Sequence, residues 1–256
     1  MVEIKTDASV DEMRATGRVV AQALTAVEKA AAVGVTLREL DEVARAVLRD
    51  AGAGSPFLDY HPDWAPTPFP AVICASVNDA IVHGIPTDYR LRDGDLVSID
   101  CGATLGGWAG DSAISFTVGR AREADIRLIE TARAALDAGI AAAVVGNRTG
   151  DIAHAIGTVC RAAGYGIPQG FGGHGVGRTM HEGPEVPNEG RRGRGMKLRH
   201  GMVIAIEPML IGGGGDEYGA APDGWTLRTM DGSRAAHAEH TVAVRDGGPA
   251  RVLTAL

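Results

Sequence analysis

The chain has 256 residues, 45% of them hydrophobic and 22% charged, with a formal net charge of −7. That length can bury a sizeable core, and the acidic balance excludes nucleic acid as the main partner and with it specific base readout. No stretch approaches the ~20 apolar residues needed to span a bilayer, and Cys74, Cys101 and Cys160 are too scattered for a disulfide framework or a thiolate zinc site, so a reduced, cytoplasmic, monomeric protein is expected.

Residues 10–33 are alanine-rich and read as a long helix. GVTLRELDEVARAVLRDAG, residues 34–52, places Leu40, Ala44, Val47 and Leu48 on one helical stripe. Thr36 and Glu39 form a capping-box sequence at its start. The proline-rich DYHPDWAPTPFP, residues 59–70, reads as a rigid surface loop. AVICASV, DLVSIDCG and GDSAISFTVG then read as strands. Residues 122–145 form a second alanine-rich helix. GNRTGDIAHAIGTVCRAAG, residues 146–164, aligns without gaps with residues 34–52. Both open on glycine and end on Ala-Gly, and Ile152, Ile156, Val159 and Cys160 repeat the apolar stripe. GMVIAIEPMLI and HTVAVRD are the last strand-like runs. Helices and strands are segregated, so the expected class is α+β, with antiparallel sheet and helices on one face. The repeat implies a duplicated unit of two helices plus strands within one domain spanning residues 1–256.

Four carboxylates interrupt these strands. If Leu105-Gly106 is a two-residue hairpin loop, Asp100 pairs directly with Asp111. Val97, Ile99, Ile114 and Phe116 then share one face, and Ser98 and Ser115 share the other with the two aspartates. Like charges opposite one another destabilise a sheet unless a cation neutralises them. Glu207 sits inside the apolar run MVIAIEPML, and Glu239 precedes HTVAV. Glutamate is seldom fully buried unless paired or metal-bound. Oxygen-rich ligation with imidazole suits manganese, iron or cobalt and admits zinc. Four carboxylates formally balance two divalent ions, the signature of a dinuclear hydrolytic centre.

GGHGVGRTMHEGPEVP, residues 172–187, carries His174 and His181 seven residues apart. Its glycines disfavour a helix, and a strand would put the two rings on opposite faces. A loop is expected, with glycine letting the backbone bend between the two histidines. RRGRGMKLRH, residues 191–200, reads as a solvated basic loop or a docking patch for an anionic partner.

Taken in order, SVNDAIVHGIP around His83, SIDCGATLGGWAGDSAISF, GHGVGRTMHEGP, IEPML, DGWTL and AEHTVAV resemble the type I methionine aminopeptidases of the pita-bread fold, in their short bacterial form. The resemblance covers nearly the whole chain and accounts for the internal repeat. It implies a metallo-exopeptidase removing the initiator methionine from nascent chains with a small second residue. It implies that Asp100 binds one metal, Asp111 and Glu239 bridge both, and His174 and Glu207 bind the second. His83 and His181 would contact the substrate near the scissile peptide, and Glu207 would act as general base. Tyr60, Phe69, Cys74 and Trp225 would line the methionine pocket, although Cys74 and Trp225 also suit simple core packing. The basic run from Arg191 to His200 would then face the ribosome. Proline-directed peptidases share the fold and are the alternative enzymes. The chain departs from the family pattern at Met180, where an aromatic residue is common, and at Ala235-Ala236-His237-Ala238, where Ser-Ala-Gln plus an aromatic is common. His61, His154, His200 and His237 are read as surface or structural residues.

Overall fold

Two helix pairs and four small antiparallel sheets build the protein, seen in a computed structural model that describes residues 2–256. The first pair is α1 (Asp7–Ala30) and α2 (Leu37–Asp50), and the second is α3 (Glu123–Ala142) and α4 (Thr149–Ala162). Between the pairs run β1 (Ile73–Val77), β2 (Ala80–Val82), β3 (Leu96–Leu105) and β4 (Trp108–Thr117). After the second pair come β5 (Gly172–Gly175), β6 (Glu182–Pro187), β7 (Val203–Ile206), β8 (Met209–Ile211) and β9 (Tyr218–Ala220). The last four strands are β10 (Leu227–Thr229), β11 (Ala235–His237), β12 (His240–Ala243) and β13 (Arg251–Val252).

The repeat read from the sequence is structural. Thr36 Oγ1 accepts from the Glu39 N–H at 3.1 Å and Glu39 accepts from the Thr36 N–H at 2.7 Å, the reciprocal box expected. In the second copy Asp151 accepts from the Arg148 N–H at 2.8 Å. Gly34 and Gly146 enter the two helices at φ of +93° and +97°, values open to glycine. Both helices also end alike, with the Ala53 N–H on the Leu48 carbonyl and the Tyr165 N–H on the Cys160 carbonyl. Each pair covers its own core. Val20, Leu24, Leu40 and Leu48 pack on Ile73, Val97 and Ile99 in the first half. Leu128, Leu136, Ile152 and Ile156 pack on Ile204 and Ile206 in the second.

The β3–β4 hairpin departs from the expected register. Its loop is Gly106-Gly107, with φ of +60° and +78°, the left-handed pair that a type I′ turn demands. Asp100 therefore pairs with Ala113 and Asp111 with Gly102, two residues from the Asp100–Asp111 pairing. An even shift keeps every side chain on its face. Ser98 comes directly opposite Ser115, with their hydroxyls 2.7 Å apart, and both aspartates remain on that side.

Two further expectations change. The run GMVIAIEPMLI is broken at Glu207-Pro208, where proline offers no ladder N–H. β7 pairs with β12, whereas β8 pairs with β11, so the chain changes sheets at Glu207. The return path from β11 to β12 changes sheets at Ala238-Glu239, opposite that break. The segment around His174 is a strand rather than a loop. Gly173 and Gly175 let β5 lie against the Ala205 and Gly183 carbonyls, where a Cβ would collide. Residues 59–70 do form a loop, closed by backbone bonds between Asp59 and Phe69 and between Tyr60 and Phe69. It is not merely surface, because Ala65 and Phe69 are buried.

The halves meet where β4 touches β12 and where β11 crosses β3 and β4. Polar groups stitch this seam. Thr241 Oγ1 accepts from the Asp111 N–H at 3.0 Å, and Ser112 Oγ donates to the Glu239 carbonyl at 2.6 Å.

Candidate metal centre

One cavity of about 270 Å³ opens at this seam. All eleven residues singled out from the sequence line it: Asp100, Asp111, His174, Glu207 and Glu239 with His83, His181, Tyr60, Phe69, Cys74 and Trp225. No lysine or arginine does. Asp100 and Asp111 come from the polar face of the β3–β4 hairpin, His174 from β5, and Glu207 and Glu239 from the two facing sheet breaks. The backbone thus delivers ligand-type side chains from five segments to one point.

His174 Nε2 lies 3.7 Å from Asp111 Oδ2 and 3.7 Å from Glu207 Oε1. Its Nδ1 lies 2.9 Å from the Gly175 carbonyl. A carbonyl can only accept, so the proton sits on Nδ1 and the Nε2 lone pair points at the carboxylates. Asp111, His174 and Glu239 offer ligand atoms within 4.8 Å of one another, and Glu207, His237 and Glu239 form a second such trio. Burial raises the Asp100, Asp111 and Glu239 pKa values well above the usual carboxylate range, and mutual repulsion raises them further. Glu207 moves the other way: burial pushes it up, but His237, His174 and His83 around it outweigh that and hold it low.

Asp100 Oδ1, Asp111 Oδ1 and Glu239 Oε1 are buried with no hydrogen-bond donor. An unmet buried polar group costs about 1–3 kcal/mol, more when charged. Acceptors without donors on three carboxylates, beside the Glu207 carboxylate and an inward imidazole lone pair, fit divalent cations.

His83 follows β2 with φ of +60°, a strained conformation outside glycine. It is held there by the Gly84 N–H on Ser76 Oγ at 3.1 Å and the Ala75 N–H on the Gly84 carbonyl at 2.7 Å. His181 immediately precedes β6. A register shift in the β5–β6 pair after His174 brings the His174 and His181 rings to 4.4 Å. Burial lowers the pKa of both His83 and His181 to about 4.

The aromatic wall is built on Trp225, whose Nε1–H donates to the Thr67 carbonyl at 2.9 Å. Phe69 and Trp64 meet it edge-on at 5.0 and 4.9 Å. Trp225 and Cys74 both pack with Ala65, Phe69 and Ala71 and line the cavity, so packing and pocket readings hold together. Burial and the neighbouring Asp100 charge raise the Cys74 thiol pKa.

Sequence reasoning missed Phe57, Trp64, Phe171 and Met209, which also line the cavity. Trp64 stacks on His83 at 6.3 Å and lies in the proline-rich loop, whose composition masked it. It also missed His237, which is buried beside Glu207 at 3.5 Å. Its position two residues before Glu239 was the available signal. Met180 turns away from the cavity and packs with Val10, Met13 and Trp108 behind Phe57. The basic residues of the 191–200 stretch are exposed, as a solvated loop requires.

A carboxylate–histidine cluster at the foot of an aromatic cavity, between two duplicated halves, defines a metallopeptidase of the pita-bread fold. Residues 11–246 match the metallopeptidase family M24. Methionine aminopeptidase 1 of Mycobacterium tuberculosis is 53% identical over 99% of this chain and 95% of its own. A methionine aminopeptidase of Clostridium acetobutylicum is 44% identical over 97% of both chains. The crystal structure of a methionine aminopeptidase from Thermotoga maritima superposes with a TM-score of 0.94, at 35% identity and full coverage of both chains. The chain belongs to metallopeptidase family M24 and, within it, to the methionine aminopeptidases. Among the described residues no helix is long and apolar enough to cross a membrane.

Proposed function

We propose that residues 1–256 act as one metallopeptidase unit that removes N-terminal methionine from chains with a small second residue, and that Asp100, Asp111, His174, Glu207 and Glu239 hold two divalent ions. In this reading the four carboxylates and the His174 imidazole would together hold the ions. The observation that carries it is the set of buried, donor-less oxygens on Asp100, Asp111 and Glu239 beneath an aromatic cavity. Bound ions supply Lewis-acid polarisation of the scissile carbonyl and a nucleophile at neutral pH. Cobalt, manganese, iron and zinc all suit the donor set.

The chain's own residues divide the remaining work. Glu207, kept ionised by the imidazoles around it, takes and returns a proton. His83 and His181 stay neutral, so each offers a ring N–H to the substrate without adding charge. The Nδ1 of His83 is buried without a partner in the fold and is free to meet one on the substrate. Trp225, Phe69, Tyr60 and Cys74 receive the methionine thioether, which packs well on aromatic edges. The enclosed volume sits near the floor of the roughly 300–1,000 Å³ typical of ligand pockets. That size suits one side chain.

Release of methionine from Met-Ala-Ser and Met-Leu-Ser with added manganese, cobalt or iron tests this, with an X-Pro peptide as the competing substrate. Release from Met-Ala-Ser alone is expected. No release from either methionyl peptide, with bound metal verified, overturns the activity; equal rates overturn only the small-residue preference. We further propose a monomer working in the cytoplasm that meets nascent chains at the ribosome through Arg191, Arg192 and Arg194. Salt-sensitive co-sedimentation with ribosomes should be lost when the three are replaced by alanine, and identical sedimentation refutes it.

A further inference from the structure

His237 ends β11 and is 1% exposed. Ser115 clamps its backbone from both sides. The Ser115 hydroxyl oxygen accepts from the His237 N–H at 3.0 Å, and the hydroxyl donates to the His237 carbonyl at 2.8 Å. His237 and Glu239 flank the sheet break at Ala238 and, with Glu207, bring ligand atoms within 4.8 Å of one another. Both therefore enter the carboxylate cluster. His237 Nε2 lies 3.5 Å from Glu207 Oε2, while His174 Nε2 lies 3.7 Å from Oε1 of the same group. Two imidazoles thus address the two oxygens of one carboxylate.

The two rings differ in what fixes them. His174 is locked by the Gly175 carbonyl at Nδ1, which turns its Nε2 lone pair inward. His237 has no hydrogen bond at Nδ1 among the described residues, and its Nε2 is buried without a hydrogen-bond partner, Glu207 Oε2 at 3.5 Å being the acceptor that faces it. The acceptor facing Nε2 then selects the tautomer, and that acceptor is Glu207. A purely structural site would be filled better by an apolar side chain, which leaves no buried polar atom unmet.

We infer that His237 is a positioning residue: its Nε2–H donates to Glu207 Oε2, fixing the carboxylate so that Oε1 stays on the His174 side. This rests on the reading of Glu207 as the group that moves the proton. The competing role is metal ligation through Nε2, since Glu207, His237 and Glu239 also bring ligand atoms together.

The test compares wild type, His237→Leu, His237→Gln and Glu207→Gln. Loss of a partner that orients a ligating carboxylate typically costs about 10–100-fold in activity. The expected result is a fall of that size in kcat for His237→Leu, with KM unchanged and wild-type metal content by native mass spectrometry. His237→Gln, which keeps a side-chain N–H, should regain most of the loss. In the zinc-loaded wild type with ¹⁵N-labelled histidine, long-range ¹H–¹⁵N spectra should show His237 Nε2 protonated. That measurement needs no variant to fold. An unprotonated Nε2, a metal ion lost in both His237 variants, or an unchanged kcat in His237→Leu overturns the inference. Full activity in Glu207→Gln refutes the proton-moving role of Glu207 separately, because the Nε2 protonation still decides whether the hydrogen bond exists.

Discussion

As the pH rises, the metal-free protein should lose stability relative to an Asp111→Asn variant. Asp111 is buried with Oδ1 unmet, and burial together with the Glu207 charge raises its pKa to about 8 in the folded chain. In the unfolded chain it titrates near 4. A carboxyl that binds its proton more tightly when folded favours the folded state below pH ~4 and loses that advantage between pH ~4 and ~8. A pKa difference of roughly four units corresponds to about 5–6 kcal/mol as a ceiling. Water entry and relaxation around the freed charge reduce this to an expected loss of about 2–3 kcal/mol. The assay is urea unfolding of the chelator-treated protein from pH 5 to 8.5, followed by circular dichroism. Neutral burial of His83 and His181 adds stability in both proteins as the pH rises towards ~6.5, so the difference between wild type and Asp111→Asn is the readout. Asp111→Asn should match wild type at pH 5 and exceed it by about 2 kcal/mol at pH 8, on the same discounted scale. Saturating metal should restore wild type at pH 8 and leave Asp111→Asn nearly unmoved. A stability difference between metal-free wild type and Asp111→Asn that is the same at pH 8 as at pH 5, or an Asp111→Asn protein less stable than wild type at pH 8, refutes the argument that these carboxylates await cations.

Replacing Trp225 by alanine removes a buried indole, so about 3–5 kcal/mol of stability should go, with KM for methionyl peptides raised more than kcat is lowered; unchanged KM argues against a pocket role. His181→Gln should lower the pH–rate profile without changing its shape between pH 5.5 and 7.5, because burial keeps the imidazole neutral down to about pH 4. A limb near pH 6.5 that vanishes in the variant contradicts this. Arg161 pairs with Glu189 at 2.8 Å and Asp216 at 2.7 Å, and the guanidinium holds both carboxyls below their usual range. That stabilisation is complete above pH ~4 and disappears as the pH falls through the lowered values. Arg161→Met should therefore cost about 1 kcal/mol at pH 7, given the partial exposure, and nothing by pH 2, as urea midpoints at the two pH values will show. Gly173→Ala puts a methyl group against the Ala205 carbonyl. Displacing β5 should cost about 1–3 kcal/mol and weaken metal binding through His174, and a wild-type urea midpoint with intact metal affinity shows the strand has room.

The local chemistry of this chain is written in its residues. Helical stripes, the Thr36–Glu39 cap and the paired glycines at 34 and 146 follow from spacing and backbone freedom, so both helix pairs and their duplication were legible. The carboxylates Asp100, Asp111, Glu207 and Glu239 were legible because charge inside apolar alternation is costly enough to stand out. The Gly106-Gly107 turn escaped because either neighbouring dipeptide can form a two-residue loop, and only the left-handed angles at both glycines decide the register. The β5 strand escaped because glycine carries no apolar pattern; its pairing depends on close backbone approach to Ala205 and Gly183, residues remote in sequence. Trp64, Met209 and His237 acquire their meaning only from what lies across the cavity. A residue's type limits which bonds it can make, but which partner it meets is set by non-local packing. Glu207 and Glu239 face each other because two strands change sheets at the same place, and His237 faces Glu207 for that same reason.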